Sequence, residues 1–187
     1  MPPKVKITKE EILKTALELC RERGESAVNA RSIAASLGCS TQPIFSNFST
    51  MDELQDAVLR SAYDLYASFL QNEAESGKYP QYKAFGMAYI RFARVEKELF
   101  KLLFMRDRGG KELPPSPDFE ASVDMIMKAN GTSRQKATLM HLEMWIFVHG
   151  IGTMLATSYI SLDEELVSGM LTDAYQGLRA KHLQKEE

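Results

Sequence analysis

The chain has 187 residues, 44% of them hydrophobic and 26% charged, a balance that excludes a disordered chain. This length suits one ordinary domain or a small head on a larger body. Net charge is −2, which alone argues against a nucleic-acid partner, yet residues 1–50 hold seven Lys/Arg against five Asp/Glu, and 51–187 hold sixteen against twenty. A mildly basic head therefore sits on an acidic body.

Two cysteines exclude a disulfide framework and lack metal-ligand spacing. Both fall in apolar positions, so Cys20 and Cys39 read as small core residues. The start, MPPKVKITKEE, has no apolar run and does not read as a signal peptide.

Thr8 and Glu11 form a capping box, with Ile7 stapled to Ile12, and Ile12, Ala16, Leu19 and Cys20 give a one-sided helix that stops at Gly24. Asn29 caps a short second helix ending at Leu37-Gly38. Ser40 caps a third, with Pro43 in its first turn, where a missing N–H costs little. Thr50 and Glu53 make another capping box, opening a helix to about Glu73. Tyr79-Pro80 starts a helix carrying Phe85, Ala88, Tyr89, Phe92 and Ala93, and Leu99 to Met105 is a short apolar segment. Residues 106–117, RDRGGKELPPSP, read as a loop. Ser116-Pro117 opens a helix over Phe119, Val123, Ile126 and Met127 that stops at Asn130-Gly131.

Thr132 with Gln135 opens a long helix, and Ser161 with Glu164 opens the last. Met144 to Leu162 is free of Asp, Glu, Lys and Arg and long enough to cross a bilayer. His149, Thr153, Thr157 and Ser158 lie inside it, acidic residues follow at once, and no Lys/Arg cluster anchors its ends, so a protein core or oligomer interface is expected. The expected class is all-α with about nine helices, divided into a head, 1–49, and a body, 50–187, connected by the helix over 50–73. The expected location is cytoplasmic.

A short helix, a glycine-bearing turn and a second short helix make the helix-turn-helix plan, whose second helix can enter the DNA major groove. Gln42 can pair with an adenine edge, and Thr41 or Pro43 can touch a thymine methyl. The hydroxyls of Ser40 and Ser46 suit phosphates.

The segments ILKTALELCRERG, VNARSIAASLGCS and TQPIFSNFSTMDEL make the chain, over Ile7 to about Leu54, resemble a TetR-family transcriptional regulator. The resemblance implies a three-helix DNA-binding head, a fourth helix linking it to a ligand-binding body, and a homodimer. Carried over by position, Asn29 and Arg31 contact phosphate, Thr41, Gln42 and Pro43 face bases, and Phe45, Ser46, Asn47 and Thr50 lie along the backbone. Two positions depart from the family pattern. Phe45 stands where a tyrosine donates to phosphate, and Met51 where a lysine is common, so DNA binding should be weaker and less salt-dependent. Lys4, Lys6 and Lys9 can offset that loss.

In the body, Trp145-x-x-x-His149-Gly150 is similar to the Trp-His-Gly signature of one subgroup. Methionines and aromatics concentrate there, and Phe92, Phe100, Phe104, Met125, Trp145 and His149 are the candidate lining of an adaptable apolar ligand site. For any single one of these residues a plain core is the better reading. Gly152 and Ala156 on the long helix, with Val167, Met170, Leu171, Ala174 and Leu178 on the last, form the candidate dimer face, because helical glycines favour close approach. No GxxxxGKS/T, GxSxG or HExxH motif occurs, so no enzyme, cofactor or metal is expected. The expected function is a repressor released from operator DNA by a small apolar effector. The alternatives are a head that binds a protein, or an all-α enzyme.

Overall fold

A computed structural model describes residues 7–107 and 117–183. Nine α-helices occur among them: α1 Lys9–Arg23, α2 Ala30–Ser36, α3 Gln42–Asn47, α4 Met51–Glu75, α5 Gln81–Val95, α6 Lys97–Phe104, α7 Pro117–Asn130, α8 Arg134–Ala156 and α9 Glu164–Leu183. One 3-10 turn at Glu25–Ala27 follows α1. The chain is all-α, as expected.

Local signals set most boundaries. Thr8 caps α1 and the Glu11 carboxylate returns to the Thr8 N–H, closing the box. Gly24, at φ +82°, ends that helix. Asn29 caps α2 by accepting from the Ser32 N–H at 3.0 Å. Thr50 accepts from the Glu53 N–H, but the Glu53 carboxylate reaches the Ser49 N–H, one residue before the cap.

Three expected caps move. Thr41, not Ser40, precedes α3, and it makes no side-chain cap bond. Ser133 rather than Thr132 caps α8, and Asp163 rather than Ser161 caps α9 by accepting from the Leu166 N–H at 2.7 Å. At α8 and α9 a better-placed acceptor lies one or two residues nearer the helix, whereas α3 starts without a side-chain cap. Ser116 lies outside the described residues.

The chain divides into two compact units. The first takes residues up to 67 and 96–106, so it contains α1–α3, most of α4 and, unexpectedly, α6. Its core is Ile12, Ala16, Leu19, Cys20, Val28, Ile33, Ile44, Phe48, Leu54, Leu99 and Leu103, all buried. The Arg21 guanidinium grips Glu96 with Nε and Nη2, tying α1 to the start of α6. At Gly24 a Cβ would come within 2.9 Å of the Glu98 carboxylate. Burial pushes the Cys20 thiol up to about 11, with Glu25 and Glu98 adding to the effect, so Cys20 is a core residue and Cys39 a half-buried one.

The second unit takes 68–95 and the chain from 107, with α5, α7, α8 and α9 packed together. Val123, Ile126, Ala137 and Met140 centre one cluster, with Tyr82, Phe119, Met127 and Tyr175 packed on it. Helix α8 has the length and mean hydropathy of a membrane span. The uncharged run from Met144 to Leu162 nevertheless leaves the helix at Ala156, and its helical part is too short to cross a bilayer. Residues on several sides of α8 pack on α5, α7 and α9, which explains a helix apolar nearly all round.

Candidate functional site

In the first unit α2 and α3 are joined through Gly38, at φ +64°, the helix-turn-helix corner. Ile33, Ala34, Ile44 and Phe48 face the core, so the remaining side chains of α3 point away from it. Gln42, Phe45 and Ser46 are exposed, Thr41, Pro43 and Asn47 are half-buried, and Arg31, Ser40 and Thr50 are exposed nearby. Phe45 is 51% exposed, a large apolar ring on the outward surface of a short helix.

Hydrogen bonds sort these residues by what they can still donate. Ser46 donates its hydroxyl to the Gln42 carbonyl at 2.9 Å. Asn47 donates to Pro43 at 2.8 Å and reaches the Ile7 carbonyl at 3.4 Å, which holds the chain entering α1. Asn29 is occupied by its cap and by the Ala27 carbonyl. Those three side chains position the motif. Thr50 uses only its acceptor lone pair, leaving its O–H to donate. Arg31 forms no ion pair within the described residues, and Gln42 no side-chain hydrogen bond, so both are available to an incoming partner. Lys9, expected to help offset the lost phosphate contacts, pairs with Glu53 at 3.0 Å and lies 4.5 Å from the Phe48 ring centroid. Lys4 and Lys6 lie outside the described residues.

The candidate effector residues do not gather at one place. Phe100 and Phe104 belong to the first unit, stacked obliquely at 5.2 Å, with Tyr66 edge-on to Phe104 at 5.2 Å. Phe92, Met125, Trp145 and His149 belong to the second. Phe92 is fully buried and packs edge-on against Phe69. Met125 is half-buried on α7. Trp145, 37% exposed, stacks on His149 one turn later, with ring centroids 5.4 Å apart.

His149 Nδ1 meets the Tyr89 hydroxyl at 2.7 Å, and His141 Nδ1 meets that of Tyr82 at 3.0 Å. Burial pushes both imidazoles down, His141 to about 4, so both are neutral at pH 7. These Tyr–His rungs between α5 and α8 escaped the sequence reading. Their signal is the spacing, seven between the tyrosines and eight between the histidines, which is two turns on each helix.

Four of the seven candidate dimer positions, Gly152, Ala156, Val167 and Leu171, are buried inside the chain itself. Leu171 packs so close to α5 that a Cβ on Gly86 would lie 2.9 Å from it. Met170, Ala174 and Leu178 are half-buried. The outward side of α8 is instead Leu139, Leu142, Ile146 and Gly150, and a Cβ on Gly150 would meet nothing. Between α8 and α9 runs an open groove of about 450 Å³ lined by Glu143, Phe147, Asp173, Ala174, Gly177, Leu178 and Lys181.

The sequence profile described as "Bacterial regulatory proteins, tetR family" matches residues 12–58. No curated protein matches the chain. A solved structure, "a TetR-like transcriptional regulator from Rhodococcus sp. RHA1", is similar in fold over 97% of this chain and 96% of that one, with a TM-score of 0.53 and 14% sequence identity.

Proposed function

We propose that the chain, whose residues 12–58 match the profile of the tetR family of bacterial regulatory proteins, is a DNA-binding transcriptional regulator, a cytoplasmic homodimeric repressor released from its operator by a small, largely apolar effector. The observation that carries the reading is the outward surface of α2 and α3, where Arg31 and Gln42 are exposed with their donors unused beside Phe45 and Pro43. Gln42 reads a base edge, Thr41 and Pro43 touch methyl groups, and Arg31, Ser40 and Thr50 hold phosphates.

The head, 1–49, holds little positive charge, so two copies on one operator supply the affinity that one lacks. The outer face of α8 with Gly150, and the groove beside Ala174 and Leu178, support a two-helix interface that becomes four helices in the dimer. Effector binding in the body, 50–187, shifts α4 and changes the separation of the recognition helices, which must suit half-sites about 34–36 Å apart or a multiple. The effector must therefore bind one arrangement better than the other.

The test is a gel shift at low salt with duplexes flanking the protein's own gene, followed by footprinting. A retarded band that protects a two-fold repeat is the expected result. No shift with any such fragment would overturn the reading and favour a head that binds protein.

A further inference from the structure

Glu53, in the first turn of α4, is held from two directions within the first unit. Its Oε2 receives the Ser49 N–H at 2.8 Å, and its Oε1 receives Lys9 Nζ at 3.0 Å. Lys9 opens α1, 44 residues earlier, and its ammonium also lies 4.5 Å from the centre of the buried Phe48 ring. The Thr50 hydroxyl accepts from the Glu53 N–H at 3.1 Å and keeps a proton to donate. The bonds from Ser49 and Lys9 hold the Glu53 carboxyl below the usual carboxylate range, so it is charged at neutral pH.

This corner adjoins the candidate recognition helix. Asn47, the last residue of α3, donates to the Ile7 carbonyl at 3.4 Å, which fixes the start of α1 beside it. Lys9, Ser49 and Thr50 are exposed, a few residues on from the exposed Phe45 and Ser46. An ammonium and a backbone N–H converging on one pair of oxygens, with a hydroxyl on the same turn, are donors of the kind that hold DNA phosphates. Here a carboxylate of the chain itself already sits among them. Lys9 and Glu53 are 50% and 39% exposed, so their pair is weak enough to exchange for another anion.

We propose that Glu53 takes the place of a backbone phosphate, holding Lys9 until DNA binding moves that ammonium from the carboxylate to a phosphate beside Ser49 and Thr50. The inference rests on the DNA-binding reading above and adds the residue that limits the strength of that binding. Giving up the carboxylate offsets part of what Lys9 gains from DNA, and Glu53 stays behind as a negative charge near the duplex. Because phosphates carry no sequence, this internal competitor lowers affinity for every duplex alike.

The full chain is titrated by fluorescence anisotropy with a labelled random-sequence duplex at several salt concentrations, and melting curves check that each variant folds. Glu53→Gln keeps an oxygen for the Ser49 N–H but removes the charge. It should tighten binding about two- to fivefold at low salt and steepen the logarithmic salt slope by about one. Lys9→Met should weaken binding, and adding Glu53→Gln to it should recover little. Asp52→Asn removes an equal charge from the same turn without freeing a lysine, and should tighten binding less. A gain from Glu53→Gln that persists in the Lys9→Met background, or that Asp52→Asn matches, is only the loss of a like charge and overturns the proposal. No gain in a folded Glu53→Gln variant overturns it too. In each of those cases a wild type that still retains the duplex leaves the DNA-binding reading standing. If neither wild type nor Glu53→Gln retains any duplex at low salt, both fall.

Discussion

The Glu96 carboxylate, 2% exposed, receives both Nε and Nη2 of Arg21, which itself stays half in water. This clamp joins the last turn of α1 to the residue that begins α6. Removing the arginine strands a buried charge, whereas changing the acid to an amide leaves a neutral group that costs less to bury. Arg21→Ala should lower stability by about 1–2 kcal/mol in urea titrations, the low end for a charged bond because Arg21 is solvated. The same change in a Glu96→Gln background should cost clearly less. Equal losses in both backgrounds would mean that the two side chains are not coupled.

His141 gives the chain a stability that depends on acid. Its folded pKa, about 4, lies below the ordinary value of 6.5 because the ring is buried. Between those values the unfolded chain binds the proton and the folded chain does not, so stability falls as pH drops from 6.5 toward 4. Melting temperatures across that window should decline in the wild type. They should decline less steeply in His141→Gln. An unchanged slope would show that other groups set the acid limit.

Under the proposed function, DNA readout divides between two side chains. Gln42→Ala should relax preference at one base pair, costing about 1–3 kcal/mol on the selected site and little elsewhere. Arg31→Ala should weaken every duplex and lower the salt slope by about one. Phe45→Tyr, which adds a neutral hydroxyl on an exposed ring, should tighten binding while leaving that slope nearly unchanged. Competition assays at several salt concentrations check all three. Indifference to all three changes would place the interface elsewhere.

Gly150 separates folding from assembly. A Cβ there meets nothing within the chain, so Gly150→Ala should stabilise the isolated protomer by up to about 1 kcal/mol through helix propensity. If the outer side of α8 is the dimer face, the bulkier Gly150→Leu, or Ile146→Asp, should shift the protein toward monomers in sedimentation. Dimers of wild-type affinity in both variants would move the interface off this face.

What could be read in the sequence was what acts locally. Thr8 with Glu11, Asn29 and Gly24 announce helix ends because cap and partner lie within four residues, and the head pattern rests on such short-range features. Caps one residue apart, such as Thr132 against Ser133, were misplaced because either side chain can accept a bond and only packing selects. The exposed face of α8 was not legible, since a helix apolar on most sides gives no sign whether Gly150 or Gly152 faces out. Phe100 was indistinguishable from a pocket residue because the grouping of α6 with the head is tertiary.

The 25 residues of α4 include neither glycine nor proline. Such a helix has no built-in place to bend. At about 37 Å long, a pivot of roughly 5° at one end sweeps the other through about 3 Å. That is close to the spacing between successive base pairs, the scale on which the proposed effector response would have to act.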